Sequence, residues 1–445
     1  MRAFLSGRSA RGTCPRGNRY GTQSGLPKLS QTSASKASPS ASSSGAPLSR
    51  FEEYTLCIVI ALSVANAYYI HPIISEVAEH FSVSKAAIGI VPTLNQLALA
   101  AGILFLLPLG DRVGNRTLVF IFSALQAVCL AVMAFAPSFV IFTAASTLLG
   151  TVTIAPYLLP AYASKRTAPA ELGRVTALLT AGILFGILYA RVGAGVMAEY
   201  FGWQTVYYLA SGLMLVLVVT LRFLMRAKAK PAPDAPAPEP YTKLLASLLP
   251  LVKKHPEAAL SGCIQSLNFG MFIAIWLGLA LHLTSPEMGY SVDLVGYLAF
   301  TAGLSMVTTP RMGVWADRMG PERARKILAC TQIVAAVLLY LFGWNLALLM
   351  IPILMNTVVG PVIDVTGRMT ILRQEPAIRN RLITVYVVIM FTGGAVASTL
   401  ATAAYDAAGW AGNCAIAFGF ALCVASLSWF AERRQNAKKA LQNGI

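Results

Sequence analysis

Charge is scarce in this chain. Asp, Glu, Lys and Arg make up only 12% of its 445 residues, about half of the roughly 25% usual in a soluble domain. Acid is the scarcer sign, with 18 Asp and Glu against 35 Lys and Arg, and residues 1–51 contain none. The seven cysteines stand singly at Cys14, Cys57, Cys129, Cys263, Cys330, Cys414 and Cys423. Without CxxC or metal-ligand spacing they imply neither a disulfide framework nor a metal site, and read as packing residues. HExxH and Gly-x-Ser-x-Gly are missing, and the four His (His71, His80, His255, His282) are dispersed. No paired carboxylates fall in the apolar blocks, so catalytic, cofactor and metal chemistry are not expected.

What is abundant is apolar residue, 56% of the chain, gathered into long blocks. About 20 such residues in a row cross the hydrocarbon core of a bilayer. Twelve blocks qualify: 54–74, 86–109, 117–136, 139–162, 173–198, 203–225, 258–282, 292–310, 325–343, 346–370, 382–404 and 410–430. They are uniformly apolar rather than alternating, which selects helices over barrel strands. The expected fold is an all-α integral membrane protein of twelve transmembrane helices in two six-helix bundles, 52–225 and 258–432.

The net charge of +17 invites a nucleic-acid reading, but its distribution argues against one. With twelve spans, all the Lys and Arg except Lys85 and Arg191 fall on one side of the bilayer. That asymmetry places both termini in the cytosol. Residues 1–51, with eight Lys or Arg and twelve Ser, read as a disordered tail. Their composition is shared by organelle transit peptides and plain cytosolic tails, and both readings stay open, with the plasma membrane the expected location. Residues 226–257 form a cytosolic, Pro-rich linker between the bundles, ending in a short helix on the membrane face; 433–445 form a second tail.

The pattern Gly110-Asp111-Arg112-Val113-Gly114 returns 206 positions later as Ala316-Asp317-Arg318-Met319-Gly320, and Gly202-Trp203 returns as Gly409-Trp410. Two landmarks at nearly one spacing mark a duplicated membrane unit. Around these loops, Leu107 to Arg116 and Gly313 to Gly320, the chain resembles the major facilitator superfamily, whose loop signature reads Gly-x-Leu-Ala-Asp-Arg-x-Gly-Arg-Lys. Leu107 and Asn115 depart from it. The stretches Ala65-Asn66-Ala67-Tyr68-Tyr69-Ile70-His71-Pro72 and Phe269-Gly270-Met271-Phe272-Ile273-Ala274-Ile275-Trp276 look like its bacterial drug- and metabolite-efflux branch.

The resemblance implies a secondary transporter working by alternating access, with efflux the favoured direction. It implies that Asp111 meets the start of helix eleven near Arg379 and Arg381, and that Asp317 meets the start of helix five near Arg174. These contacts would latch the cytosolic side, with Gly110, Arg112, Gly114, Arg318 and Gly320 shaping the loops. Asp364, one helical turn before Arg368 and by the family's fold near Arg318, reads as a paired carboxylate of structural or conformational role, with proton carriage the alternative for an acid inside a span. Helix four lacks the family's Arg-x-x-Gln-Gly pattern, so a coupling proton stays open.

Substrate contacts are expected from polar and aromatic residues inside the spans, where an amide must find a partner or water. Gln265, Asn268, Phe272 and Trp276 share one face of helix seven. Asn66, Tyr69, Asn95, Gln96, Tyr157 and Asn356 are further candidates. Arg191 lies too deep in helix five to go unpartnered at low cost and is a candidate substrate or gating residue, with snorkelling to the outer rim or bonding to carbonyls the alternative. A mixed amide and aromatic lining suits a neutral or weakly polar organic molecule, and a phosphate poorly. A monomer without cofactor is expected. A non-transporting sensor and an intramembrane enzyme are the alternatives.

Overall fold

The computed structural model describes residues 48–111, 113–164, 166–168, 171–225, 241, 246–373 and 376–442. Residues 1–47 of the tail expected over 1–51, the Pro-rich stretch over 226–240, the gating role expected of Arg112 and the side chain of Asp111 lie outside the described residues. All regular structure among the described residues is helical.

Ten segments are long and apolar enough to cross a membrane. They include α2 (Lys85–Gly110), α3 (Asn115–Ala134), α4 (Phe139–Ser164), α5 (Leu172–Phe201) and α6 (Trp203–Leu224). The second half supplies α7 (Pro256–Leu283), α8 (Val292–Met319), α9 (Pro321–Phe342) and α10 (Leu346–Leu372). The tenth segment belongs to Pro376–Gln442, which departs from helical geometry at Ala408 and Gly409 and so comprises two spans, α11 (376–407) and α12 (410–442). The first span adds α1 (Arg50–Ala65), begun by a capping box in which Ser49 and Glu52 satisfy each other's backbone N–H groups. Twelve spans result.

The first span is not the continuous helix the sequence suggests over 54–74. Helix ends at Ala65, turns occupy 66–73, and a second piece runs Ile74–His80. Pro72 lacks an N–H and disfavours helical geometry at His71. The side chain of Asn66 meanwhile bonds across to α3. The fourth span breaks similarly at Thr153 (φ −79°, ψ 52°), three residues before Pro156. In α10 both Pro352 and Pro361 are carried inside an unbroken helix.

The repeat landmarks are backbone devices. Gly114 and Gly320, at the starts of α3 and α9, have φ 95° and 96° with ψ 134° and 127°. Gly202 and Gly409 have φ 83° and 57° with extended ψ of 152° and −144°. A side chain at such angles is strained, so a tight reversal between spans needs glycine.

One end of the bundle gathers Leu48, whose N–H donates to the Arg166 carbonyl at 3.3 Å, the Lys326–Glu432 ion pair and Arg381 against Ser247. We call it the terminal face. At the opposite face the two halves touch. Ser75 and Thr284 hydroxyls bond at 3.0 Å, and the Val292 N–H donates to Glu199 at 3.0 Å. Thr93 bonds Thr399 at 2.7 Å and the Ala395 carbonyl at 3.2 Å. α5 and α8 cross where a Cβ added to Gly195 would lie 2.9 Å from the Val292 carbonyl. Outward-facing positions such as Val216, Phe223, Val334 and Leu341 are large, apolar and exposed, whereas Gln126, Arg191 and Gln332 are buried. That inversion of the soluble pattern fits a lipid surround.

Gly320→Ala and Gly114→Ala should each cost about 1–3 kcal/mol. Gly303→Ala and Gly419→Ala, at helical positions with open space for a Cβ, should be neutral or slightly stabilising. Thermal melting in detergent measures both sets; equal losses in all four variants would contradict the backbone role.

Candidate functional site

Between the halves lies a cavity of about 1230 Å³. It reaches the terminal face, because its wall includes Leu107, Gly110, Asn115, Ser164, Leu248 and Arg381. Its deep end is walled by Tyr68, Arg191, Phe272 and Trp276. The cross-half contacts of the opposite face lie beyond that end.

Of the sequence candidates, Tyr157, Arg191, Gln265, Asn268, Trp276, Asn356, Asp364, Arg381 and Gly110 line the cavity. Asn66, Tyr69, Asn95 and Gln96 are buried outside its lining. Tyr69 faces a small gap shared with Tyr189 and Val206, and its neighbour Tyr68 takes the cavity position, because the chain is unwound there. Asn95 donates to the Ser146 carbonyl at 2.7 Å and so ties α2 to α4. Gln96 is fully buried, with no hydrogen-bond partner for either amide atom among the described residues.

Two amide pairs repeat across the halves. Asn66 Nδ2 donates to Gln126 Oε1 at 2.8 Å, and Gln332 Nε2 donates to Asn268 Oδ1 at 2.8 Å. Each pair also holds a carbonyl of the Pro-bearing helix beside it. Gln126 donates to Val152 of α4 at 3.2 Å, and Asn268 donates to Gly360 of α10 at 3.1 Å. Val152 lies four residues before Pro156, which has no N–H to offer it, and its carbonyl accepts from the Ile154 N–H at 2.9 Å as well as from Gln126. The sequence reading used Asn66 and Asn268 but missed Gln126 and Gln332. Their offset of 206, that of the Asp-Arg loops, was the available signal.

The charged groups divide sharply. Asp364 is satisfied, by Arg368 at 2.8 Å and by the Tyr386 hydroxyl at 2.8 Å; these, and not Arg318, are its partners. Arg191 is 1% exposed and stacks on two rings, 4.0 Å from the Trp276 centroid and 4.6 Å from that of Phe272. Such stacking recovers part of the desolvation cost of a buried cation. At the terminal face Asp317 pairs with Arg373 of its own half at 3.7 Å, and Arg174 pairs with Glu53 of its own half at 2.8 Å. The Asp317–Arg174 contact that the resemblance implies is therefore not formed in this conformation, whose terminal face is open.

Every amide atom of Asn268 is engaged within the protein: Nδ2 with Gln265 and Gly360, Oδ1 with Gln332. Asn268→Leu should therefore lower stability by about 1–2 kcal/mol, from two interhelical bonds of roughly 0.6 kcal/mol each and the contact with Gln265, and leave ligand affinity nearly intact. Gln126→Leu, away from the cavity, should do the same. Melting temperature and ligand titration on one preparation separate the effects; lost affinity at unchanged stability would contradict the assignment.

The sequence model of the Major Facilitator Superfamily matches residues 56–373. The chain is 30% identical over 387 residues, 86% of its length, to the uncharacterized transporter YgaY of Escherichia coli O157:H7, of which 96% is covered. It is 28% identical over 395 residues to "Probable transporter SCO4007" of Streptomyces coelicolor, covering 88% of this chain and 90% of that one. Among solved structures, the nucleoside transporter NupG matches with TM-score 0.70 at 14% identity, covering 85% of this chain and 99% of that one. A bacterial homolog of the human lysosomal transporter Spinster, inward-facing and unoccupied, matches with TM-score 0.68 at 12% identity, over 86% and 96% of the two chains. Similarity at those identities speaks to the fold alone; the relatives are transporters, not enzymes. The two six-helix halves, the doubled Asp-Arg loops and these matches together place the chain in the Major Facilitator Superfamily, as a multi-pass membrane transporter.

Proposed function

We propose that this protein moves a small organic molecule across a membrane by alternating access, with the cavity as its binding site. One observation carries the reading. A cavity walled by both halves opens at one face, and cross-half contacts close the other. That is the geometry of one state of a carrier whose halves rock about a fixed site. Tyr157, Arg191, Trp276 and Asn356 are the substrate contacts in this reading. Gln265 and Asn268 hold the wall, while Asn66, Tyr69, Asn95 and Gln96 act from behind it.

The placement of Lys and Arg supports a cytosolic terminal face, and so a site open to the cytosol here. The likeness of 65–72 and 269–276 to efflux permeases supports export, and a plasma-membrane location accords with it. The Asp-Arg loops serve as the cytosolic latch. On closure Asp317 exchanges Arg373 for Arg174, and Arg174 leaves Glu53. A coupling proton remains a candidate with no assigned carrier residue.

The test is substrate-dependent counterflow in proteoliposomes, using compounds that raise the melting temperature of the purified protein. Counterflow of a bound compound is expected. Saturable binding without counterflow would favour a sensor. In the same assay Asp317→Asn should slow transport and raise the reactivity of cysteines placed on the cavity wall, because closure loses its latch. Unchanged rate and reactivity would remove the latch from the account.

A further inference from the structure

Among the described residues, the cavity lining contains three guanidinium groups, Arg191, Arg368 and Arg381, and one carboxylate, Asp364. Asp364 is taken up by Arg368 and Tyr386, and Arg381 contacts Ser247 near the mouth. Arg191 alone stands at the deep end, and no Asp or Glu among the described residues forms an ion pair with it. Its Nε and Nη2 lack any hydrogen-bond partner among the described residues and are covered in this conformation, so a ligand reaches them as the neighbouring side chains part. These two nitrogens share one edge of the planar guanidinium.

The aromatic rings of Trp276 and Phe272 lie over the Arg191 cation. Stacking satisfies the flat faces of a guanidinium but leaves the N–H groups of its edge unmade. Two parallel N–H donors on one edge match the two oxygens of a carboxylate. A buried cation without a counter-ion is otherwise retained at high cost in a membrane protein, and such residues mark ligand pathways. Among the described residues only one guanidinium is uncompensated at this depth, so the site fits a single negative charge; a phosphate dianion would need more. The surrounding wall, including Ile183, Ile187, Met271, Ile275 and Ile353, is apolar and asks for an apolar body.

We propose that Arg191 anchors the carboxylate of a monoanionic organic acid whose apolar or aromatic body fills the rest of the cavity. The proposal rests on the transport reading above and narrows its substrate from a neutral or weakly polar molecule to an acid. The complex of Arg191 with a monoanion is neutral, so binding compensates the charge that this buried residue otherwise carries into the closed state.

The experiment uses the full chain in detergent and four acids: benzoate, 4-phenylbutyrate, indole-3-acetate and octanoate. Each is compared with the primary amide of the same body. At least one acid should raise the melting temperature saturably, with half-saturation about 10-fold or more below that of its amide. Arg191→Gln should abolish the preference for acid over amide, and Arg191→Lys should keep a weaker one. The wild-type comparison decides the matter even where a variant folds poorly. Equal response to acid and amide, or no response to any of the four acids, overturns the proposal. Acid-selective binding without counterflow of the labelled acid overturns the transport reading and leaves the anchor standing. Counterflow of an uncharged compound, unaffected by Arg191→Gln, does the reverse.

Discussion

A polar side chain inside a bilayer-spanning helix has no water to fall back on, so it must find its partner within the chain. In this protein that constraint sets how the helices of each half associate. The Asn66–Gln126 and Asn268–Gln332 bonds, both 2.8 Å, tie the first helix of each half to its third. Through Val152 and Gly360 they reach on to the fourth. Lipid supplies no hydrophobic drive for helices to associate, so such bonds and the close crossings permitted by small residues carry the assembly. The halves themselves meet differently, through hydroxyls, a carboxylate on a helix N–H and the crossing of α5 with α8. These are small contacts, joined at the deep end of the cavity by Arg191 stacking on Phe272 and Trp276 of the other half, of a kind that can part without unfolding either half.

The same constraint gives Arg191 its interest. Everywhere else in the cavity wall a charged group is answered by a neighbour, as Asp364 is by Arg368 and Tyr386. Among the described residues, Arg191 is answered only by the faces of two rings. A site that leaves one interaction unmade is suited to a ligand that supplies it, and that is how a binding energy becomes specific to one chemical class. The unwound stretch 66–73 brings Tyr68 to the same end of the cavity. Broken helices of this kind recur around midplane sites in carriers.

Much of the fold was legible in the sequence because lipid imposes a length and the duplication imposes a register. The loop glycines 114, 320, 202 and 409 announced the repeat, and the structure supplies their reason: each holds a backbone geometry that other residues adopt only under strain. The break in the first span was less legible. Pro72 was visible, but a lone proline is often carried inside a helix, as Pro352 and Pro361 are in α10. The site was legible by helix and not by side chain. Helix seven presents Gln265, Asn268, Phe272 and Trp276 to the cavity as its period requires. Tyr68 replaces Tyr69 because the period fails where the helix unwinds. The amide role of Gln126 and Gln332 escaped notice because Gln looks the same whether it waits for a substrate or for another helix.

The account's central claim is that the halves rock apart at the opposite face, where they are closed here. Ser75 and Thr284, 3.0 Å apart across the halves, offer the direct test. In a background without the native cysteines, Ser75→Cys with Thr284→Cys should form a disulfide on oxidation. The cross-linked protein should bind ligand from the terminal face yet lose transport, and reduction should restore it. Transport at the uncross-linked rate through a fully oxidised pair would contradict the account.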